Sequence, residues 1–203
     1  QEIEFRLDAR QQAACRVEPE VPELYFCGDL AGYGWCFRKG DFLNVGLGRE
    51  DRARLAEHVD GFCDWMQKTG RIPQGIPAKF RGHAYFLHEH SPRKLAGEGV
   101  LAIGDAAGLA YAQSGEGIRP AVESGLLAAR AIRAAEGDYR LKRLEPYARA
   151  VTARFGRRSS GPGLLGLVPA PLRRFLAARL LSNRRFMRHV VLERWFLRSG
   201  SES

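Results

Sequence analysis

The segment Gly99–Ile118 restricts the fold of this chain more than any other. Val100, Leu101, Ala102 and Ile103 form an apolar run bounded by glycines, the pattern of a short buried strand. The run stops at Gly104-Asp105 and passes through Ala106, Ala107 and Gly108, and Gly115-Glu116-Gly117 then opens a helical pattern. That helix is expected from Gly115 to about Ala135, ending near Gly137, with Ala121, Ser124, Gly125, Ala128 and Ala129 giving it a thin face for close packing. A strand, a glycine-rich loop and a helix in this order place Asp105 at the carboxyl edge of a strand, where open α/β sheets receive ligands.

The flanking sequence indicates what surrounds this unit. Glu2–Asp8 alternates polar and apolar residues, and Glu23–Cys27 is a short apolar run. Gly34–Phe37 and Phe42–Gly46 flank Lys39-Gly40-Asp41, a hairpin signal. Between Glu50 and Thr69, Leu55, Val59, Phe62, Trp65 and Met66 draw one helical stripe that Gly70 ends. After Pro73 and Pro77, Gly82–His88 reads as a further strand. A helix from about Leu141 to Arg157 tolerates Pro146 near its start. Gly161-Pro162-Gly163 and Pro169-Ala170-Pro171 precede two arginine-rich amphipathic helices, Pro171–Leu181 and Asn183–Leu197. The expected architecture is α+β: an antiparallel sheet with one helix over 1–98, the strand–loop–helix over 99–137, and a basic helical tail over 138–203.

Charge narrows the partners. The net charge is +9, and most of the excess lies beyond Arg149, where eleven arginines from Arg154 to Arg198 face little besides Glu193. Phe175, Leu176, Leu180, Phe186, Val190, Val191, Trp195 and Phe196 sit among them, so the tail suits either the core or a membrane surface. No nucleic-acid module accompanies the basic run, and nucleic acid is not an expected partner. No stretch approaches the ~20 apolar residues that span a bilayer, and no signal peptide is evident, so a cytoplasmic protein, peripheral at most, is expected. Cys15, Cys27, Cys36 and Cys63 are too scattered for a zinc site or a disulfide scaffold, and Cys36 reads as a buried thiol. His88 and His90 would share one face of a strand, yet no third ligand is evident and no metal is expected. The chain opens at Gln1, and its methionines are Met66 and Met187, as in a trimmed product.

The chemistry of the glycine-rich segment suits a flavin. Asp105 is placed to accept hydrogen bonds from sugar-like hydroxyls. The helix opened by Gly115 and Gly117 brings backbone N–H groups and a positive helix end to a ring system that gathers negative charge on reduction. The segment resembles the flavoprotein superfamily with the para-hydroxybenzoate hydroxylase fold, in which a Gly-Asp-Ala motif contacts FAD. The resemblance implies that Asp105 holds the ribityl hydroxyls and that Ala106 and Ala107 lie beside the pyrophosphate. Gly115, Gly117 and Ile118 would line the pyrimidine edge, and Glu116 counts among the cofactor-binding residues. Ala112 stands where many relatives carry proline before the glycine pair. No G-x-G-x-x-G follows an opening strand, so the nucleotide-binding βαβ unit of an α/β FAD-binding fold is missing from this chain.

A second motif points to the substrate. Tyr33, Trp35 and Phe37 project from one side of a strand and make an aromatic wall, while Gly46 and Gly48 keep the paired strand thin. The stretch Tyr33–Gly48 is similar to the aromatic motif of geranylgeranyl reductases, with Arg38 in place of a proline. Arg38 is expected to place a cation at the mouth of an apolar tunnel. The resemblance covers roughly Pro22–Ala135 and implies the C-terminal half of an FAD-dependent oxidoreductase. Such an enzyme, supplied by NAD(P)H or another reductant, saturates carbon–carbon double bonds of a polyprenyl lipid. Tyr111 is a candidate proton donor near the flavin, and the segment alone is expected to be inactive. A flavin monooxygenase or halogenase, or a non-catalytic membrane-surface module, are the alternatives.

Overall fold

The computed structural model describes residues 1–50, 54–77, 79–158 and 169–196, in two compact units, Gln1–His83 and Ala84–Ser203. In the first unit, β1 (Glu2–Arg6), β2 (Glu23–Phe26), β3 (Gly32–Lys39) and β4 (Phe42–Arg49) form an antiparallel sheet in the order β1-β4-β3-β2. The expected hairpin pairs Trp35 with Gly46 and Cys36 with Val45. Side chains alternate across the sheet, so Cys36, Leu43, Val45 and Leu47 share its inner face and all are buried. Helix α2 (Leu55–Lys68) contributes Val59, Cys63 and Met66 to the same core, with Leu7, Val17 and Ile72 closing its sides. Trp65 lies at the margin of this stripe, 48% exposed, stacked at 6.3 Å on Phe62 and edge-on at 5.3 Å to Tyr25. One helix was not anticipated: α1 (Ala9–Ala14) is started by Asp8, whose carboxylate accepts from Gln11 N while Gln11 Oε1 accepts from Asp8 N, a capping box.

The second unit departs from expectation in its strands. Gly82–His88, whose first two residues belong to the first unit, is not a strand: Phe86 and Tyr85 are exposed, and Leu87 alone makes a bridge, parallel to Ala110. The run 99–104 yields only a two-residue hairpin, β5 (Ala96–Gly97) with β6 (Val100–Leu101). Val100 is 59% and Ile103 43% exposed, because no further strand among the described residues pairs beside them or covers them. Gly104–Ala107, read as loop, forms one turn of helix, α3. Helix α4 (Ile118–Ala135) begins three residues later than expected, after Gly117 as its N-cap, and packs on α5 (Leu141–Phe155). Of the thin face, Ser124 and Ala128 are buried and Ala129 is exposed. The core joins Ala107, Leu109, Ala128, Tyr147 and Val151. The Tyr147 hydroxyl donates to the Ala102 carbonyl at 2.5 Å, and burial pushes its pKa up to about 12.

The C-terminal region forms α6 (Ala170–Leu181), α7 (Arg184–Phe186) and a π-wound continuation, Met187–Phe196. The chain break expected at Gly161-Pro162-Gly163, and Arg198, lie outside the described residues. Val191 is fully buried, whereas Phe175, Leu176 and Leu180 are exposed, so these apolar residues do not share one buried face. No described helix is long and apolar enough to cross a membrane.

Candidate functional site

In the second unit, Gly104, Asp105, Gly115, Gly117 and Ile118 line one open pocket of about 470 Å³, joined by Tyr85, Ile103 and Ala121. The pocket is built by tying α3 to α4. Gly104 N donates to Ser124 Oγ at 3.0 Å, and the same hydroxyl donates to the Pro120 carbonyl at 2.7 Å. A β-carbon on Gly117 would stand 2.9 Å from Asp105 Oδ1, so the glycine is what lets the carboxylate lie against the helix start. Tyr85 donates to the Gly115 carbonyl at 3.0 Å, and partial desolvation of its hydroxyl end, with the Asp105 and Glu116 carboxylates nearby, raises its phenol pKa.

Three expected site residues are placed differently. Glu116 turns back over the helix it precedes: its Oε1 accepts from Arg119 N at 2.8 Å, so it is tied to the first turn of α4 and does not line the pocket. Ala106 is exposed beside Asp105, but Ala107 is fully buried in the core and cannot present its side chain to a ligand. Tyr111 is 4% exposed with its ring 6.3 Å from Phe155, an interior position away from the pocket lining. Its backbone instead closes the loop, with Tyr111 N donating to Glu116 O at 3.0 Å and Gly115 N to Tyr111 O at 2.7 Å. A residue that sequence reasoning left in the basic tail holds this site from behind. Arg158 donates to the carbonyls of Ala107 at 2.7 Å and Ser91 at 3.1 Å and to that of Arg93, and burial lowers its pKa.

In the first unit, Tyr33, Trp35 and Phe37 do share the outer face of β3, with Phe26 extending it: Phe26 and Trp35 each lie about 6 Å from Tyr33. The Trp35 indole lies over Gly46, where a β-carbon would be 2.3 Å from the ring, and Gly48 leaves room beyond it. The indole N–H donates to Asn44 Oδ1 at 2.9 Å, and Asn44 Nδ2 donates to Glu2 and Glu4 at 3.4 Å each. Arg38 is not part of this surface. It pairs with Leu43 on the opposite face by strand alternation, and its Nε donates to the Gly40 carbonyl at 2.7 Å. The polar groups beside the aromatic face are thus an amide and two carboxylates, which sequence reasoning did not single out. Cys36 is buried on the inner face and burial raises its thiol pKa, as its register requires.

His88–His90 is a single 3-10 turn rather than a strand, with His88 buried 6.2 Å from the Phe155 ring. Among the described residues no group of three His, Cys, Asp or Glu is arranged to hold a metal.

Asp105 and a glycine-opened helix start thus line one pocket in the second unit, and a glycine-backed aromatic sheet lies in the first. No family model matches the chain. A digeranylgeranylglycerophospholipid reductase of Methanocaldococcus jannaschii is 32% identical over 115 residues, 55% of this chain and 29% of that protein. Digeranylgeranylglycerophospholipid reductase 2 of Methanosphaera stadtmanae is 31% identical over 147 residues, 68% of this chain and 36% of its own length. A geranylgeranyl diphosphate reductase of Synechocystis is 32% identical over 117 residues, 56% and 28% of the two chains. The structure is similar to a geranylgeranyl bacteriochlorophyll reductase-like protein of Thermoplasma acidophilum, with a TM-score of 0.55 and 24% identity, covering 89% of this chain and 42% of that one. These findings bear out the resemblance: the chain is related to the geranylgeranyl reductase family. It spans roughly a third of the length of the curated relatives it matches.

Proposed function

We propose that this chain supplies the ribityl-binding turn and part of the substrate surface of an FAD-dependent oxidoreductase that saturates carbon–carbon double bonds of a polyprenyl lipid. The observation that carries the proposal is the pocket in which Asp105 lies against Gly117 at the start of α4. A carboxylate there accepts two hydroxyl donors of a ribityl chain, and the glycine edge admits a flat ring that any side chain would exclude. Bound FAD would supply hydride, replenished by NAD(P)H or another reductant. Gly104, Asp105, Gly115, Gly117 and Ile118 are the residues assigned to it, with Tyr85 fixing the Gly115 carbonyl. Nothing in this chain is assigned the adenosine, which needs a glycine-rich turn elsewhere.

The aromatic face suits an apolar chain: Phe26, Tyr33, Trp35 and Phe37 offer broad ring surfaces and few donors. With Glu2 and Glu4 joined to it through Asn44, that face takes an uncharged isoprenoid stretch rather than a phosphate. No residue of this chain is assigned the proton that accompanies hydride, since Tyr111 lies in the interior.

The test is the product. Protein from the complete reading frame, loaded with FAD and reduced anaerobically, should convert a geranylgeranyl lipid to species heavier by two hydrogens per saturated bond, and Asp105→Ala should abolish this. Flavin-loaded protein that returns the lipid unchanged, or hydroxylates it only in air, would overturn the reductase reading, the latter in favour of a monooxygenase.

A further inference from the structure

The arginine-rich C-terminal helices carry a surface that the oxidoreductase reading does not use. On α6, Leu172, Phe175, Leu176 and Leu180 recur at intervals of three and four, so they lie along one side, and each is between 47% and 63% exposed. Arg179 falls within the same stripe, and Arg184 and Arg185 follow at the start of α7, all exposed and without an ion pair among the described residues. Leu192 adds a further exposed apolar side chain. Between Glu145 and Glu193 the sequence has ten arginines and no acidic residue.

We propose that this surface docks on an anionic lipid bilayer, lying in its interface. The charge selects the partner: a run of cations without local carboxylates is neutralised by lipid phosphates, and arginine stems can lie among acyl chains while their heads stay at phosphate level. The leucines and Phe175 enter the hydrocarbon boundary, where each buried side chain gains about what it gains in a protein core. Nucleic acid fits less well, because a stacking platform needs open rings between the cations. Here Phe186 and Trp195 are engaged with each other, edge to face at 6.2 Å. No described helix is long and apolar enough to cross a membrane.

The inference does not depend on flavin or substrate. The chain is sedimented with vesicles of phosphatidylcholine alone and of phosphatidylcholine mixed with phosphatidylglycerol, with neither flavin nor isoprenoid present. It should bind the mixed vesicles, release at high salt, and leave the neutral ones largely uncovered. Arg184→Gln with Arg185→Gln should weaken partitioning roughly thirtyfold, given the usual contribution of each cation near a charged surface. Phe175→Ser with Leu176→Ser should weaken it at least about tenfold, with helical circular dichroism unchanged. Equal binding to neutral vesicles, absence of binding, or partitioning that neither double variant alters would overturn the proposal. So would a dimer in solution that the Phe175→Ser, Leu176→Ser variant dissolves, since the stripe would then face a second copy.

Discussion

Gly46→Ala is expected to destabilise the first unit by about 2 to 3 kcal/mol, while Gly48→Ala should be neutral to stabilising, by up to about 1 kcal/mol. Both glycines lie on β4 opposite the aromatic strand, and their difference is steric. A β-carbon at Gly46 would come within 2.3 and 2.4 Å of the Trp35 ring and 2.8 Å of Glu2 Cβ, whereas at Gly48 the nearest atom of the ring is 3.7 Å away. The indole has to move, and in moving it gives up its hydrogen bond to Asn44 and its contact with Tyr33, 6.0 Å between centroids. Alanine's better strand entropy returns only about 0.5–1 kcal/mol at either position. Urea unfolding read by circular dichroism measures both values, and Trp35→Phe should restore part of the Gly46→Ala loss. Equal effects at the two glycines would mean that the indole does not rest on Gly46.

Gly108→Ala should cost the second unit about 3 kcal/mol. Gly108 ends α3 with φ at +62°, where an L side chain is strained, and a β-carbon there would stand 2.1 Å from Ser91 Oγ and 2.6 Å from Ser91 Cβ. Ser91 is buried and cannot swing aside without losing its bonds to the Ala107 carbonyl at 3.3 Å and from Arg93 N at 3.2 Å. Those bonds, with Arg158, hold the end of the turn that presents Asp105. The variant should therefore weaken flavin retention as well as stability, and Ser91→Gly should recover some of each. Thermal unfolding followed beside FAD retention gives the two readings, and a variant as stable as the parent would contradict this packing.

How far these sites could be read in advance depended on whether a residue's partner is local. The hairpin over Gly32–Arg49 followed from alternation and the Lys39-Gly40-Asp41 turn, and the same alternation puts Tyr33, Trp35 and Phe37 together while sending Arg38 to the other face. The Asp8 and Gln11 capping box was present in the sequence and would have found α1. Strand patterns at 82–88 and 99–104 state a capacity to pair, not the presence of a partner, and no described strand supplies one beyond the two-residue hairpin. Tyr111 sits in a loop without periodicity, so nothing in its spacing tells inward from outward. Arg158 looked like one more tail cation because the carbonyls it holds lie 51 to 67 residues away in the chain.

Asp105 and the Gly115–Ile118 helix start are proposed to hold a flavin. Visible absorption of the protein purified from its complete reading frame tests it most directly. Bands near the flavin's usual ~450 nm are expected, and they should be lost in Asp105→Ala while the fold is kept. A colourless, well-folded protein, or flavin retained equally by Asp105→Ala, would contradict it.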